Sequence, residues 1–243
     1  MSILVVGETC LDVFRYGRCE RLAPEAPVPV FNPVSITNNP GMAMNVQKNI
    51  EALGATCDIY TNHNWKSVLK TRFIHKDTNQ MFIRVDENED QISRCSLSEL
   101  KLSSYEIIVV SDYCKGFLSE DDIRYITENH DCVFVDTKKR LGAWCKSATF
   151  IKINNIEYNK TKDYMTSELK EKLIVTRGSK GCVYRGKTFP VKSVEIKDVS
   201  GAGDTFLSGL VVNYQQTRDI HKAIEYANEC ATVVVQKRGV STV

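Results

Sequence analysis

The chain has 243 residues, 42% of them hydrophobic and 26% charged, with a formal net charge of +2. That length suits one α/β domain with a sizeable core, and so small a net charge gives no footing for nucleic acid or an anionic membrane as a partner. The nine cysteines, at 10, 19, 57, 95, 114, 132, 145, 182 and 230, show no CxxC spacing and no His pair completes a zinc pattern, so reduced thiols in a cytoplasmic protein are expected, not a disulfide framework.

In chain order, Ile3–Val6 is a short apolar run that meets Gly7, a strand and not the core of a signal peptide. No apolar run reaches the roughly 20 residues of a membrane helix, so the sequon Asn159-Lys160-Thr161 is expected to be without meaning. Residues 27–37 alternate in polarity and read as exposed extended chain. The stretch 41–53 reads as a helix, with Val46, Ile50 and Leu53 on one stripe and Gly54 beyond its end. Residues 70–86 alternate again, and with 27–37 they are expected to pair as a small sheet, a β lid projecting from the body. Residues 107–110, 132–135, 150–153 and Leu173–Thr176 are short β-branched runs, suited to strands buried on both faces of a parallel sheet. Two helices close the chain, 204–216 with Leu207, Leu210, Val211 and Tyr214, and 219–237 with Ile224, Ala227, Ala231 and Val234. The alternation implies a doubly wound α/β fold with a central, mostly parallel sheet, flanking helices and ligand sites at the C-terminal strand ends. No linker, repeat or low-complexity tract interrupts residues 1–243, which read as a single domain.

The segment Asp198-Val199-Ser200-Gly201-Ala202-Gly203-Asp204-Thr205-Phe206 places two glycines just before a helix. A helix N-terminus offers unpaired N–H groups and a positive dipole end, and glycines let backbone approach an anion closely. A phosphate, or the charge on a transferring phosphoryl group, suits that turn, and Asp204 in the first helical turn is placed to take a proton from a hydroxyl. Pattern alone leaves a second reading open, a Gly-rich turn capped by an Asp.

The same nine residues resemble the C-terminal signature of the PfkB, or ribokinase-like, carbohydrate kinases. The resemblance implies an anion hole at Gly201, Ala202 and Gly203 with Asp204 as catalytic base. Further stretches match in order along most of the chain. Residues 7–12 resemble the family's first strand with its substrate-binding Asp12, and 40–46 resemble its glycine signature, with Gly41 and Asn45 on the sugar. Asn154-Asn155-Ile156-Glu157 resembles the N-x-x-E element, which implies Asn154 near the ATP phosphates and Glu157 on Mg²⁺ through water. Thr176, Gly178, Gly181 and Asn228 fall where the family holds its nucleotide. Asp198, Ser200, Gly239 and Ser241 resemble parts of a monovalent-cation site, which would take K⁺. Residues 24–30, 111–116, 135–138 and 239–243 are most similar to the kinases of D-glycero-β-D-manno-heptose 7-phosphate, which act at O1. Those kinases are often fused to a nucleotidyltransferase domain, and the end of this chain leads us to expect that second activity to be absent. A sugar phosphate needs cations at its phosphate end, and Arg84, Lys115 and Lys138 are candidates, with a solvated surface the alternative for each.

The implied reaction is in-line transfer from Mg·ATP to a sugar hydroxyl, under a lid that also serves as a homodimer contact. Several departures bear on it. Only residues 62–71 fill a gap where relatives have a further helix and strand, 159–171 is also brief, Glu8 replaces an Asp, and Met42 replaces the second glycine of a Gly-Gly pair and narrows the site. The acceptor is therefore open: the heptose phosphate, another sugar or sugar phosphate, or none, in a homologue that binds without turnover. Residues 181–188 satisfy GxxxxGK[ST], but the apolar run lies between the glycines and Pro190 follows, so a β-meander is expected there and not a P-loop. His63, His75, His130 and His221 form no cluster, and Tyr60, Trp65 and Phe73 read as packing residues.

Overall fold

The computed structural model describes residues 2–237 and 239–243. A body sheet is built from β1 (Ile3–Val6), β4 (Cys57–Tyr60), β7 (Ile107–Asp112), β8 (Val133–Thr137), β9 (Phe150–Asn154), β10 (Leu173–Thr176), β11 (Cys182–Tyr184) and β12 (Lys187–Phe189). Its order is β12-β11-β10-β9-β8-β7-β1-β4, parallel from β10 to β4 and antiparallel at β11 and β12. The near-continuous apolar strands follow from covering both faces. Ile3, Val5, Ile107 and Val109 face a core shared with α1 (Ala43–Ala52), α5 (Ala202–Thr217) and α6 (Ile220–Val234). Leu4, Val6, Ile108 and Val110 face the opposite core, with Ile123 and Ile126 of α2 (Glu120–Glu128). Two shorter helices, α3 (Asn155–Thr161) and α4 (Ser167–Lys172), occupy the connection from β9 to β10.

The expected strands and helices stand where the pattern placed them, with shifted ends. Helix α1 starts at Ala43, leaving Gly41 and Met42 on the preceding strand, and α6 stops at Val234. The body sheet ends at β4, after which residues 61–68 lead directly into the lid strand β5. The GxxxxGK[ST] segment is the hairpin β11–β12, turned by Arg185 and Gly186 at φ 47° and 75°, with no helix after it.

The lid is larger than the sequence suggested. It has four strands, β2 (Thr9–Leu22), β3 (Pro29–Met42), β5 (Leu69–His75) and β6 (Met81–Glu87), in the order β3-β2-β5-β6. The two stretches expected to pair with each other are separated by β2, which runs antiparallel to β3 and parallel to β5. Strand β2 hid because its distal half is polar and exposed, with Arg15, Arg18, Glu20 and Arg21, and so lacks an apolar run. Its register sets the two lid faces. One row reads Asn39, Asp12, Lys70, Asp86 and the next row on that face reads Thr37, Phe14, Arg72, Arg84. The opposite face reads Ile36, Arg15, Phe73, Ile83, and there Phe73 packs edge-on against Phe31 at 5.2 Å. Among the described residues no helix is long and apolar enough to cross a membrane, and all nine cysteines are free.

Candidate active site

Gly201 is the N-cap of α5, and its φ of +79° favours a residue without Cβ; a Cβ there would also stand 3.0 Å from Asn45 Nδ2. No side chain caps this first turn, and the Ala202 amide donates to the backbone carbonyl of Val199 at 3.2 Å. Asp204 follows in the same turn and is buried. Its Oδ2 accepts from Asn45 Nδ2 at 2.8 Å and its Oδ1 from the Tyr113 hydroxyl at 2.5 Å. Asn45 comes from α1 and Tyr113 from the loop after β7, so three distant segments meet on one carboxylate. Asn49 Nδ2 donates to Asn45 Oδ1 and Thr205 Oγ1 donates to Asn49 Oδ1, which turns the Asn45 amide nitrogen toward Asp204. Burial pushes the Asp204 carboxyl above its ordinary value, against the opposing pull of Asn45, Tyr113 and Lys152. Burial and the neighbouring Asp204 raise the Tyr113 phenol well above its ordinary value, so it donates as a neutral hydroxyl.

On one side of the turn lies a cavity of about 330 Å³, lined by Gly201, Ser200, Asp204 and Asn45 and roofed by the lid. Five cations reach it: Lys70, Arg72, Arg84, Lys115 and Lys138. The structure thus brings together all three cations singled out in the sequence and adds two. Asp12 projects from β2 and pairs with Arg72. Lys70 pairs with Asp86 at 3.2 Å and with Glu89, and Glu89 also takes Lys115. Arg84 is exposed at the rim and pairs with Asp86 at 2.8 Å. The Lys138 ammonium sits 3.8 Å from the centre of the Tyr113 ring. Gly41 serves Asp12: a Cβ on it would lie 2.1 Å from Asp12 Oδ2. Met42 lines the cavity with a buried side chain, and its backbone stands at φ 56°, ψ −130°, a conformation that glycine tolerates and L side chains rarely adopt.

On the other side, Ala202 and Gly203 line a second cavity of about 270 Å³, with Thr176, Gly178, Gly181 and Asn228 on its wall. Val194, Ile196, Val199 and Val235 make much of the remainder apolar, as a flat heterocycle would require. Asn228 Nδ2 donates to Phe189 O at 3.1 Å, which ties α6 to the edge of the sheet. Asn154 is not on this wall. It caps α3, its Oδ1 accepting from the amides of Ile156 and Glu157, while Glu157 Oε2 accepts from the amide of Asn154.

Magnesium fits this arrangement as a phosphate-borne ion. Among the described residues no group of three or more His, Cys, Asp or Glu could cage a metal, and Mg²⁺ with nucleotides keeps waters and leans on one or two carboxylates. Glu157 is half-buried and uses Oε2 on the cap, leaving Oε1 for a bound water; burial, then Asp136, raise its carboxyl above the ordinary value. Asp198, Ser200, Gly239 and Ser241 also come together. Asp198 accepts from the amides of Ser200 at 2.8 Å and Gly239 at 3.1 Å, and Ser241 Oγ donates to Gly239 O at 3.4 Å, so the carboxylate ties the chain's last residues to the turn.

Sequence reading passed over Lys70, Arg72, Tyr113 and Lys152. Lys70 and Arg72 stand two apart on one strand and share a face, a signal that was available. Tyr113 reaches Asp204 across 91 positions and gives no local signal.

The sequence profile of the pfkB family of carbohydrate kinases matches residues 66–243. The "Bifunctional protein HldE" of Shewanella sp. strain W3-18-1 is 32% identical over 291 aligned positions, which take in 99% of this chain and 61% of that protein. The chain therefore spans about three-fifths of that relative's length, and the alignment is longer than the chain, so the relative carries residues this chain lacks. The crystal structure of ribokinase from Thermotoga maritima superposes with a TM-score of 0.72 at 15% identity, covering 98% of this chain and 94% of that one. The nucleoside kinase of Methanocaldococcus jannaschii, an archaeal member of the ribokinase family, gives 0.71 at 18% identity over 98% and 93%. At those identities the two structures establish the fold, which is ribokinase-like.

Proposed function

The chain belongs to the pfkB family of carbohydrate kinases, ATP-dependent enzymes, and from that premise we propose that it phosphorylates D-glycero-β-D-manno-heptose 7-phosphate at O1. One observation supports this reading above others: the turn 201–204 lies between an apolar cavity and a cationic one and presents the Asp204 carboxylate to the cationic side. ATP fits the apolar side, with its phosphates directed at the uncapped turn of α5. The acceptor fits under the lid, its hydroxyls on Asp12 and its phosphate among Lys70, Arg72, Arg84, Lys115 and Lys138.

In the proposed reaction the acceptor hydroxyl displaces Tyr113 from Asp204 or shares the carboxylate with it. Its oxygen forms a bond to the γ-phosphorus as the bond to the β,γ-bridging oxygen breaks, and its proton passes to Asp204. The amides of the turn take the charge on the transferring group, and Asn45 holds the carboxylate in line. Glu157 would hold Mg²⁺ through water, and the ion would supply charge neutralisation on the ATP phosphates. A K⁺ ion beside Asp198, Ser200, Gly239 and Ser241 is part of the same reading, supported by their clustering at the turn. The exposed Ile36 and Ile83 on the lid's outer face support a homodimer formed there. With ATP and a sugar phosphate as partners, and neither nucleic acid nor membrane, the activity belongs in the cytoplasm.

Met42 favours a second reading, a kinase of this family for a different sugar phosphate, because its side chain occupies acceptor space. A panel of heptose 7-phosphate, fructose 6-phosphate and free ribose, followed by ADP release, separates the two. Turnover confined to the heptose is the expected result. Turnover on another sugar alone discards the heptose, and ATP binding with no turnover on any acceptor discards the enzyme.

A further inference from the structure

Strand β9 places a charge inside an apolar run, Phe150-Ile151-Lys152-Ile153. Lys152 is 6% exposed, and the parallel register with β8 sets Asp136 directly beside it. Its Nζ donates to Asp136 Oδ2 at 2.6 Å. A buried ion pair is a weak source of stability, since apolar residues of similar volume often serve as well, so this one asks for another reason. Position supplies it. A Cβ on Gly203 would lie 3.2 Å from Lys152 Nζ, so the ammonium rests against the same turn that divides the two cavities. Burial works against the charge, but Asp136, Asp204 and Glu157 more than offset it, and the lysine stays protonated. An ammonium has three N–H donors, and Asp136 takes one.

We propose that Lys152 is a catalytic cation, whose Nζ bonds a non-bridging oxygen of the phosphoryl group as it passes the turn 201–203. Asp136 is its positioning residue and holds the ammonium in a dry site. The role rests on the kinase reading above. The acceptor oxygen gains its bond to phosphorus, the bridging oxygen leaves with its electron pair on ADP, the proton goes to Asp204, and Lys152 keeps its own proton throughout. What it adds is charge fixed where charge is in transit, without reorganisation.

The test compares the wild type with Lys152→Met and with the charge-neutral pair Lys152→Met/Asp136→Asn, which leaves no buried carboxylate stranded if the single variant folds poorly. The expected result is a kcat lower by about 10²–10³-fold in both, the loss typical of removing one oxyanion donor, with the KM for ATP within a few-fold. A second readout needs no acceptor: binding of ADP, Mg²⁺ and aluminium fluoride, which mimics the transferring group, weakens in both variants while ADP alone binds as before. Recovery of wild-type kcat in the paired variant overturns the proposal and leaves a structural ion pair. Equal fluoride-complex binding by wild type and variants overturns it too, even if the wild type turns over no acceptor in the panel, which is the separate failure of the kinase reading.

Discussion

Asp204 binds its proton more tightly in the folded protein than in the unfolded chain, because its carboxylate is buried. As the proposed base it works only when ionised, so the acid limb of the kcat/KM profile should lie above the roughly 3.9 of a free Asp. A limb at or below that value contradicts the burial argument. The sign for stability is the unusual one for an Asp. With the folded value raised, stability from this group is present below the unfolded value and is lost as pH rises through the window up to the folded value. Met42 is the second residue under strain. Its φ of 56° favours glycine, which sets the relief of the backbone against the larger unfolded-chain entropy that glycine brings. Both Met42→Ala and Met42→Gly lose the buried side chain, but only the Gly variant relieves the backbone. In urea, Met42→Gly should be the more stable of the two by about 1–2 kcal/mol. The reverse order would mean the backbone is not strained there. Gly201, Gly203 and Asp204 were legible in the sequence because their geometry is local to four residues. Asn45, Tyr113 and Lys152 converge on them from other elements, and no spacing in the chain announces a convergence made by the sheet.

At the scale of elements the proposed reading gives the two substrates to different parts of the fold. The lid strands β2 and β5 supply Asp12, Lys70 and Arg72 to the acceptor cavity, whereas α6 and the 176–181 turn wall the nucleotide cavity. Substitutions should split accordingly. Asp12→Ala and Arg72→Ala should raise the acceptor KM roughly 10–100-fold, the cost of a charged hydrogen bond, and leave the ATP KM near wild type. Ala231→Phe, which fills the nucleotide cavity, should raise the ATP KM about tenfold or more and spare the acceptor KM. Equal changes in both constants from a lid substitution would contradict the division. The body strands were legible because burial on both faces forces continuous apolar runs. The lid was half legible: β3, β5 and β6 alternate in polarity, but β2 ends in a charged, exposed half whose only constraint is pairing, and pairing leaves no composition of its own.

At the scale of the whole molecule, the parts that the proposed phosphoryl transfer uses meet at one turn. The sheet stops at β4 and the α3–α4 connection is brief, yet β7, β8 and β9 still deliver Tyr113, Asp136 and Lys152 to the N-terminus of α5. The turn at the start of α5 and Asp204 as the base carry the proposed reaction. The most direct measurement is steady-state kinetics of Asp204→Asn beside the wild type, with the best acceptor from the panel and with binding of ATP and acceptor measured separately. Asn keeps the shape and one acceptor oxygen, enough for Asn45, and its amide can donate to the Tyr113 hydroxyl oxygen, but it cannot take the proton, so kcat should fall by about 10²–10⁴-fold while both ligands bind within a few-fold of wild type. An Asp204→Asn variant that turns over within about threefold of the wild type would contradict the account, because the proton would then be leaving by another route.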